Sequence, residues 1–239
     1  MHYTLDDTRQ QLNELPVLVE KLVHAHVNSD GAIIFNGLKK YLNQIRQCGH
    51  MTIIGKKACY RSALGIALFL KELLSIPVTV LLPLDFRYGA IKRSGLFFFV
   101  SDSHLTTDAE SVLRYCKERG AVILAMTNNE SSRIACGTHC DFVVNIGAEK
   151  SCSNVKAYIL YSIELILFDL NLCEDMIRQD RRCELLLDEL RQCPDLIRRL
   201  FKCDGDVFDY AQQLNHLKES FLLIMGNRLN LGICLESAD

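Results

Sequence analysis

The sequence predicts an α/β protein, a three-layer αβα domain built on a mainly parallel sheet. Two observations carry this reading. Five short apolar runs, at residues 51–54, 77–82, 96–100, 122–126 and 142–146, alternate with segments whose apolar residues recur at helical spacing. The third run, Leu96-Phe97-Phe98-Phe99-Val100, is apolar at every position, so helices must cover both faces of that strand. Burying each Leu or Phe there is worth roughly 1.5–3 kcal/mol, which outweighs any single loop contact.

Each element follows in chain order. Residues 12–27 place Leu15, Leu18, Val19, Leu22, Val23 and His26 on one helical face. Asn28-Ser29-Asp30-Gly31 ends that helix, and a second helical segment runs through Leu38, Leu42 and Ile45 to Gly49. The first strand leads through Gly55-Lys56-Lys57-Ala58-Cys59-Tyr60 into a helix carrying Ala63, Ile66, Ala67, Leu70, Leu73 and Leu74. After the second strand, residues 85–94 form a connection with some helical content. The third strand is followed by a polar turn at 101–106 and a helix at 109–117 closed by Gly120. A fourth strand, a short helix at 129–136, a fifth strand and a long apolar helix at 156–170 complete the unit.

Beyond it, residues 174–202 read as one or two amphipathic helices interrupted around Cys193-Pro194, with Leu185, Leu186, Leu190, Ile197 and Leu200 as their apolar side. Residues 207–217 add another helix. A strand-like run at 221–225 and the Gly226-led turn after it repeat the order seen at residues 51–74. The expected division is therefore N-terminal helices packing on the core at 1–50, the αβα domain at 51–170, a helical connection at 171–220, and the incomplete start of a second αβ domain at 221–239. One strand and one helix cannot bury a core of their own. That last segment must pack on the first domain, pair with another copy, remain partly disordered, or continue in a longer chain.

Composition narrows the function. With 27 Lys plus Arg against 29 Asp plus Glu, the net charge of −2 gives no reason to expect nucleic acid or an anionic membrane as partner. The longest strong apolar run, at 96–100, is far below the roughly 20 residues that span a bilayer. The start, Met1-His2-Tyr3-Thr4-Leu5, has no secretory pattern, so a cytoplasmic location is expected. The 11 cysteines are accordingly read as reduced and mostly buried. Cys136, His139 and Cys140 lack a fourth ligand nearby, so no metal is assigned.

In an open parallel sheet, ligands bind beyond the carboxyl ends of the strands. Ser101-Asp102-Ser103-His104-Leu105-Thr106-Thr107-Asp108 occupies such a position and offers hydroxyls beside the free amides of a helix N-terminus, a setting that receives phosphate oxygens. The plainer reading is helix capping by Thr106 or Thr107, with Glu110 completing a capping box for Thr107. Asp102 and Asp108 work against an anion. Glu149-Lys150-Ser151-Cys152-Ser153-Asn154-Val155-Lys156 could contact a polar ligand, or serve as a solvated loop with an ordinary cap. Cys59 opens a helix beside Lys56 and Lys57, but no base can be placed against it, so no catalytic residue is assigned.

Taken together, Gly55 to Tyr60, Ser75-Ile76-Pro77-Val78, Asp85-Phe86-Arg87-Tyr88, the 101–108 turn and the stretch from Glu149 to Tyr158 resemble the sugar isomerase (SIS) domain. More narrowly, they resemble the isomerase region of glutamine:fructose-6-phosphate amidotransferase, and residues 226–238 are similar to the opening of that region's second SIS domain. The resemblance implies a flavodoxin-like sheet of five parallel strands, with a hexose phosphate held by the first and third strand-end loops. By position it implies phosphate and sugar contacts from Cys59, Ser101, Asp102, Ser103, Thr106, Ser153 and Lys156. Glu236 is a family remnant, aligning with the first glutamate of the second domain's helix. Lys57 and His104 stand where the family has glycines, and Asp102 where it has glutamine. The family's glutaminase domain and most of its isomerase acid and base residues have no counterpart here.

The resemblance implies binding of a sugar phosphate, such as fructose 6-phosphate or glucosamine 6-phosphate, without autonomous catalysis and without a cofactor. A homodimer or a partner chain is expected. Two alternatives stay open: a fragment or subunit of an active glucosamine-6-phosphate synthase, and a structural or interaction module with no ligand.

Overall fold

The computed structural model describes residues 5–88, 95–101, 106–129, 131–138, 140–144, 146–147, 154–173, 181–202, 226 and 230–237. Among these, strands β1 (His50–Gly55), β2 (Val78–Leu81), β3 (Gly95–Ser101), β4 (Val122–Thr127) and β5 (Cys140–Val143) form one sheet. Its order is β2-β1-β3-β4-β5 and every pair is parallel. The aromatic third strand sits in the middle, where both faces are covered. Leu96, Phe98 and Val100 enter one core cluster while Phe97 and Phe99 enter the other, as the two-residue period of a strand requires.

The helices are α1 (Leu5–His26), α2 (Leu42–Arg46), α3 (Lys57–Leu74), α4 (Thr107–Glu118), α5 (Arg133–Gly137), α6 (Val155–Leu172), α7 (Arg181–Phe201) and α8 (Asn230–Ser237). Helices α1, α3, α6 and α7 supply the larger cluster, α4 and α5 the smaller one. The three-layer αβα architecture is thus present, with the core where the apolar runs predict it. Eight of the cysteines fall among the described side chains, none of them in a disulfide. Cys48, Cys59, Cys116, Cys173 and Cys183 are buried and Cys136 is exposed. Among the described residues, no helix is long and apolar enough to cross a membrane.

Three details depart from the periodicity. The fifth strand begins and ends earlier than residues 142–146, because its neighbour β4 stops at Thr127. The Val144 amide still donates to the Thr127 carbonyl at 2.8 Å, but the Ile146 amide turns to the Asn128 side chain at 3.2 Å. Second, α7 passes through Pro194 without a break. A proline inside a helix costs about 3 kcal/mol or more, and burial of Cys183, Leu187 and Leu190 offsets that cost. Third, the apolar side of α7 differs from expectation at its edges: Leu190 is buried and Leu186 and Ile197 pack on the core as expected, but Leu187 joins them while Leu185 and Leu200 are 52% and 64% exposed.

The expected helix at 207–217 and strand at 221–225 lie outside the described residues. Helix α8, from the last segment, packs across α3. A Cβ at Gly232 would collide with the Arg61 carbonyl oxygen, and would lie 3.0 Å from the Gly65 amide nitrogen. Only a glycine permits this approach of the two helices.

Candidate functional site

The chain reverses direction across the sheet between β1 and β3, since β1 connects outward to β2 while β3 lies on its other side. The crevice beyond the carboxyl ends of two such strands is where open α/β sheets bind ligands. A cleft of about 190 Å³ occupies this position. Gly55, Lys56, Lys57 and Cys59 line it from the β1 side, and Val100, Ser101 and Thr106 from the β3 side. Pro83 and Ile134 close its flanks.

Backbone geometry brings the two loops together. At Gly55 a side chain would meet the Cys59 carbonyl carbon and the Tyr60 nitrogen at 3.1 Å and the Val100 carbonyl oxygen at 3.2 Å. The lack of a side chain lets the first turn of α3 press against β3. Lys56 is extended, with φ −133°, and Lys57 then opens α3 at φ +48°, in the left-handed region that favours glycine. Helices α3 and α4 both begin at the cleft, so the positive ends of two helix dipoles converge on it. Lys56 adds a cation, held loosely by Asp108 at 3.9 Å.

Thr106 is the backbone N-cap of α4, its carbonyl accepting from the Glu110 amide at 3.0 Å. Its side chain makes no capping hydrogen bond, and its hydroxyl oxygen is buried without a partner. The capping box expected for Thr107 is also diverted, as the Glu110 carboxylate accepts from Arg133 at 2.8 Å instead. Ser101, the last residue of β3, is anchored through its carbonyl, which accepts from the hydroxyl of the fully buried Tyr161 at 2.9 Å.

Of the residues singled out from the sequence, Cys59, Ser101 and Thr106 therefore meet along one cleft. Lys156 lies apart from its lining. The lysine is 2% exposed, and its Nζ contacts Glu14 Oε2 at 3.3 Å, tying α6 to α1. Asp102, Ser103 and Ser153 fall outside the described residues, and Glu236 falls on α8. Sequence reasoning missed Pro83 and Ile134, whose contribution comes from a short turn of helix and from α5, far apart in the chain. It also missed Glu14, for which the only signal was a buried-face lysine in need of a counter-charge. A larger cavity of about 300 Å³ lies at the opposite, amino-terminal end of the strands. Its lining, including Met51, Leu73, Leu96 and Leu172, is apolar apart from Arg46, which donates to the Leu172 carbonyl at 3.3 Å. It lacks the convergent polar groups of the β1/β3 cleft.

The sheet order and the position of the cleft define a class, and the sequence agrees: residues 44–169 match the SIS domain, and the chain belongs to that family. Over most of its length it is homologous to the SIS region of the glutamine–fructose-6-phosphate aminotransferases. It is 34% identical over 233 residues to aminotransferase (isomerizing) 2 of Mus musculus, covering 96% of this chain and 34% of that protein. Against aminotransferase (isomerizing) 1 of Arabidopsis thaliana it is 31% identical over 240 residues, covering 99% of this chain and 35% of that protein. The chain thus spans about a third of the length of these relatives. Among solved structures, the C-terminal domain of glucosamine-fructose-6-phosphate aminotransferase from Francisella tularensis superposes with a TM-score of 0.86 at 17% identity, covering 97% of this chain and 65% of that one. The sugar isomerase domain of the RpiR transcription factor from Sphaerobacter thermophilus superposes at 0.51 with 19% identity, over 77% of this chain and 98% of that one.

Proposed function

We propose that the chain binds a hexose phosphate, of the kind represented by fructose 6-phosphate and glucosamine 6-phosphate, in the β1/β3 cleft and does not catalyse a reaction by itself. The observation that carries the reading is the Thr106 hydroxyl, buried and unpartnered where two helix N-termini meet. A buried polar group without a hydrogen bond costs about 1–3 kcal/mol, and a phosphate oxygen in the cleft would satisfy it. Ser101 and Ser103 complete the hydroxyl set in this reading, with Cys59 and Asp102 at its edge and Ser153 toward the sugar, while Lys156 stays buried against Glu14 and takes no part. Residues 221–239 are read as the opening of a second SIS unit, and the chain as working beside another copy or a partner.

Calorimetric titration with fructose 6-phosphate and glucosamine 6-phosphate tests the proposal, with Ser103→Ala as control. Saturable binding that the substitution weakens is expected. No heat at millimolar ligand would sink it, and product formed from fructose 6-phosphate and ammonia by the purified chain would sink the claim that it does not catalyse alone.

The second reading, a subunit of an active synthase, is favoured by one observation: the similarity to the aminotransferases runs through 96% of this chain. Activity that appears only on mixing with a chain carrying the missing acid and base groups would establish it.

A further inference from the structure

We infer that Lys57 is the charge-selecting residue of the cleft, supplying the cation that distinguishes a phosphate monoester from a neutral sugar. The inference rests on the reading of the cleft as an anion site and goes beyond it, because nothing in that reading requires a lysine at this position.

Three observations converge on it. Lys57 is the first residue of α3, it lines the cleft, and its side chain is exposed and so able to swing over a bound ion. Its backbone stands at φ +48°, a conformation that glycine adopts freely and a lysine does not. The same cleft contains the Thr106 hydroxyl, buried without a partner, which marks the place of a missing hydrogen-bonding group independently of the helix end.

Strain at a side chain with no role would be relieved by glycine at no loss. Strain retained at a ligand contact would be relieved at the expense of binding. Lys56 cannot take over the task as effectively, since Asp108 lies 3.9 Å from its ammonium and competes for it. A compact, mobile ammonium beside two helix N-termini suits a dianion with exposed oxygens.

The two explanations of the left-handed lysine give opposite results for one substitution. Native protein, Lys57→Gly, Lys57→Met, Thr106→Val and a distant control, Lys71→Met, are titrated with inorganic phosphate, fructose 6-phosphate and fructose, and their thermal midpoints are recorded without ligand. Lys57→Gly is expected to raise the midpoint by about 2–4 °C through relief of the backbone. It should nonetheless weaken both phosphate ligands about tenfold, as loss of a charge-assisted contact does. Lys57→Met should weaken them equally without the gain in stability, Lys71→Met should change neither, and fructose should bind poorly to all.

Phosphate binding by Lys57→Gly and Lys57→Met at native strength would overturn the inference, while a loss in Thr106→Val alone would leave the cleft reading standing. Loss in the Lys57 variants with Thr106→Val unaffected would overturn the hydroxyl site instead. A native protein that ignores phosphate altogether would end both.

Discussion

A threonine at the start of a helix ordinarily directs its hydroxyl to an amide two or three residues on, and that bond is worth about 1 kcal/mol. Thr106 stands in that position with the right backbone and does not make the bond. Its oxygen is instead sealed from water with nothing to pair with. The physical consequence is an inversion of the usual mutational effect. Thr106→Val keeps the shape of the side chain and removes the orphaned hydroxyl, so urea unfolding of the free protein should show unchanged stability, or a gain of up to about 1 kcal/mol. A loss of about 1 kcal/mol or more would mean that the hydroxyl is a working cap and the cleft has no unfilled group. The sequence places Thr106 correctly but is silent on this point, because a capping threonine and an uncapped one are spelled the same way. Lys57 presents the same difficulty: its left-handed backbone is invisible in the sequence, although a lysine standing where the SIS family has glycine was the signal.

At the scale of elements, the strands and their covering helices were legible because burial dictates them. Leu96 to Val100 must lie inside, and the alternation of strand and helical periods then permits few arrangements. The errors fall where a second element decides the outcome. β5 ends when β4 can no longer pair with it, and α7 continues through Pro194 because its buried face outweighs the proline. Local pattern carries neither fact. Helix α8 is the sharpest instance: the sequence left the last segment several fates, and residues 230–237 of it pack against α3 at a single glycine. Gly232 allows α8 to lie against the Arg61 carbonyl, with Tyr158 Oη 3.1 Å from where its Cβ would be. Gly232→Ala should push the helices apart at a cost of about 1–3 kcal/mol in docking. Hydrogen exchange at the amides of residues 230–237 should quicken while the sheet amides keep their protection. Unchanged exchange across α8 would show that the contact between α8 and α3 does not need the glycine.

On the scale of the whole molecule, the helix layer carrying α1 and α6 holds Asp169, Glu164 and His26, and the pKa shifts of these three have one common sign. Asp169 is fully buried with both carboxylate oxygens unpartnered, and burial raises its pKa from 3.8 to about 8. Glu164, also fully buried, is raised by burial, and the contact from His26 Nε2 to its Oε1 at 2.9 Å only partly opposes that. For His26, burial pulls the pKa down, but Glu164 and the Ile34 carbonyl, 2.9 Å from its Nδ1, push it up, and the net shift is upward. Each group therefore holds its proton more tightly folded than unfolded, so unfolding releases protons and stability must fall as pH rises. For Asp169 the window runs from 3.8 to about 8, with a slope of at most about 1.4 kcal/mol per pH unit. For His26 the contribution is complete below 6.5 and disappears as pH climbs through its raised value. Thermal melts should accordingly show a lower midpoint at about pH 8 than at about pH 5.5, and Asp169→Asn, which cannot ionise, should flatten that decline and be the more stable protein at the higher pH. A midpoint that rises over this interval, or an Asp169→Asn variant with the native pH slope, would mean that these carboxyls find partners and the layer is not the pH-sensitive part of the fold.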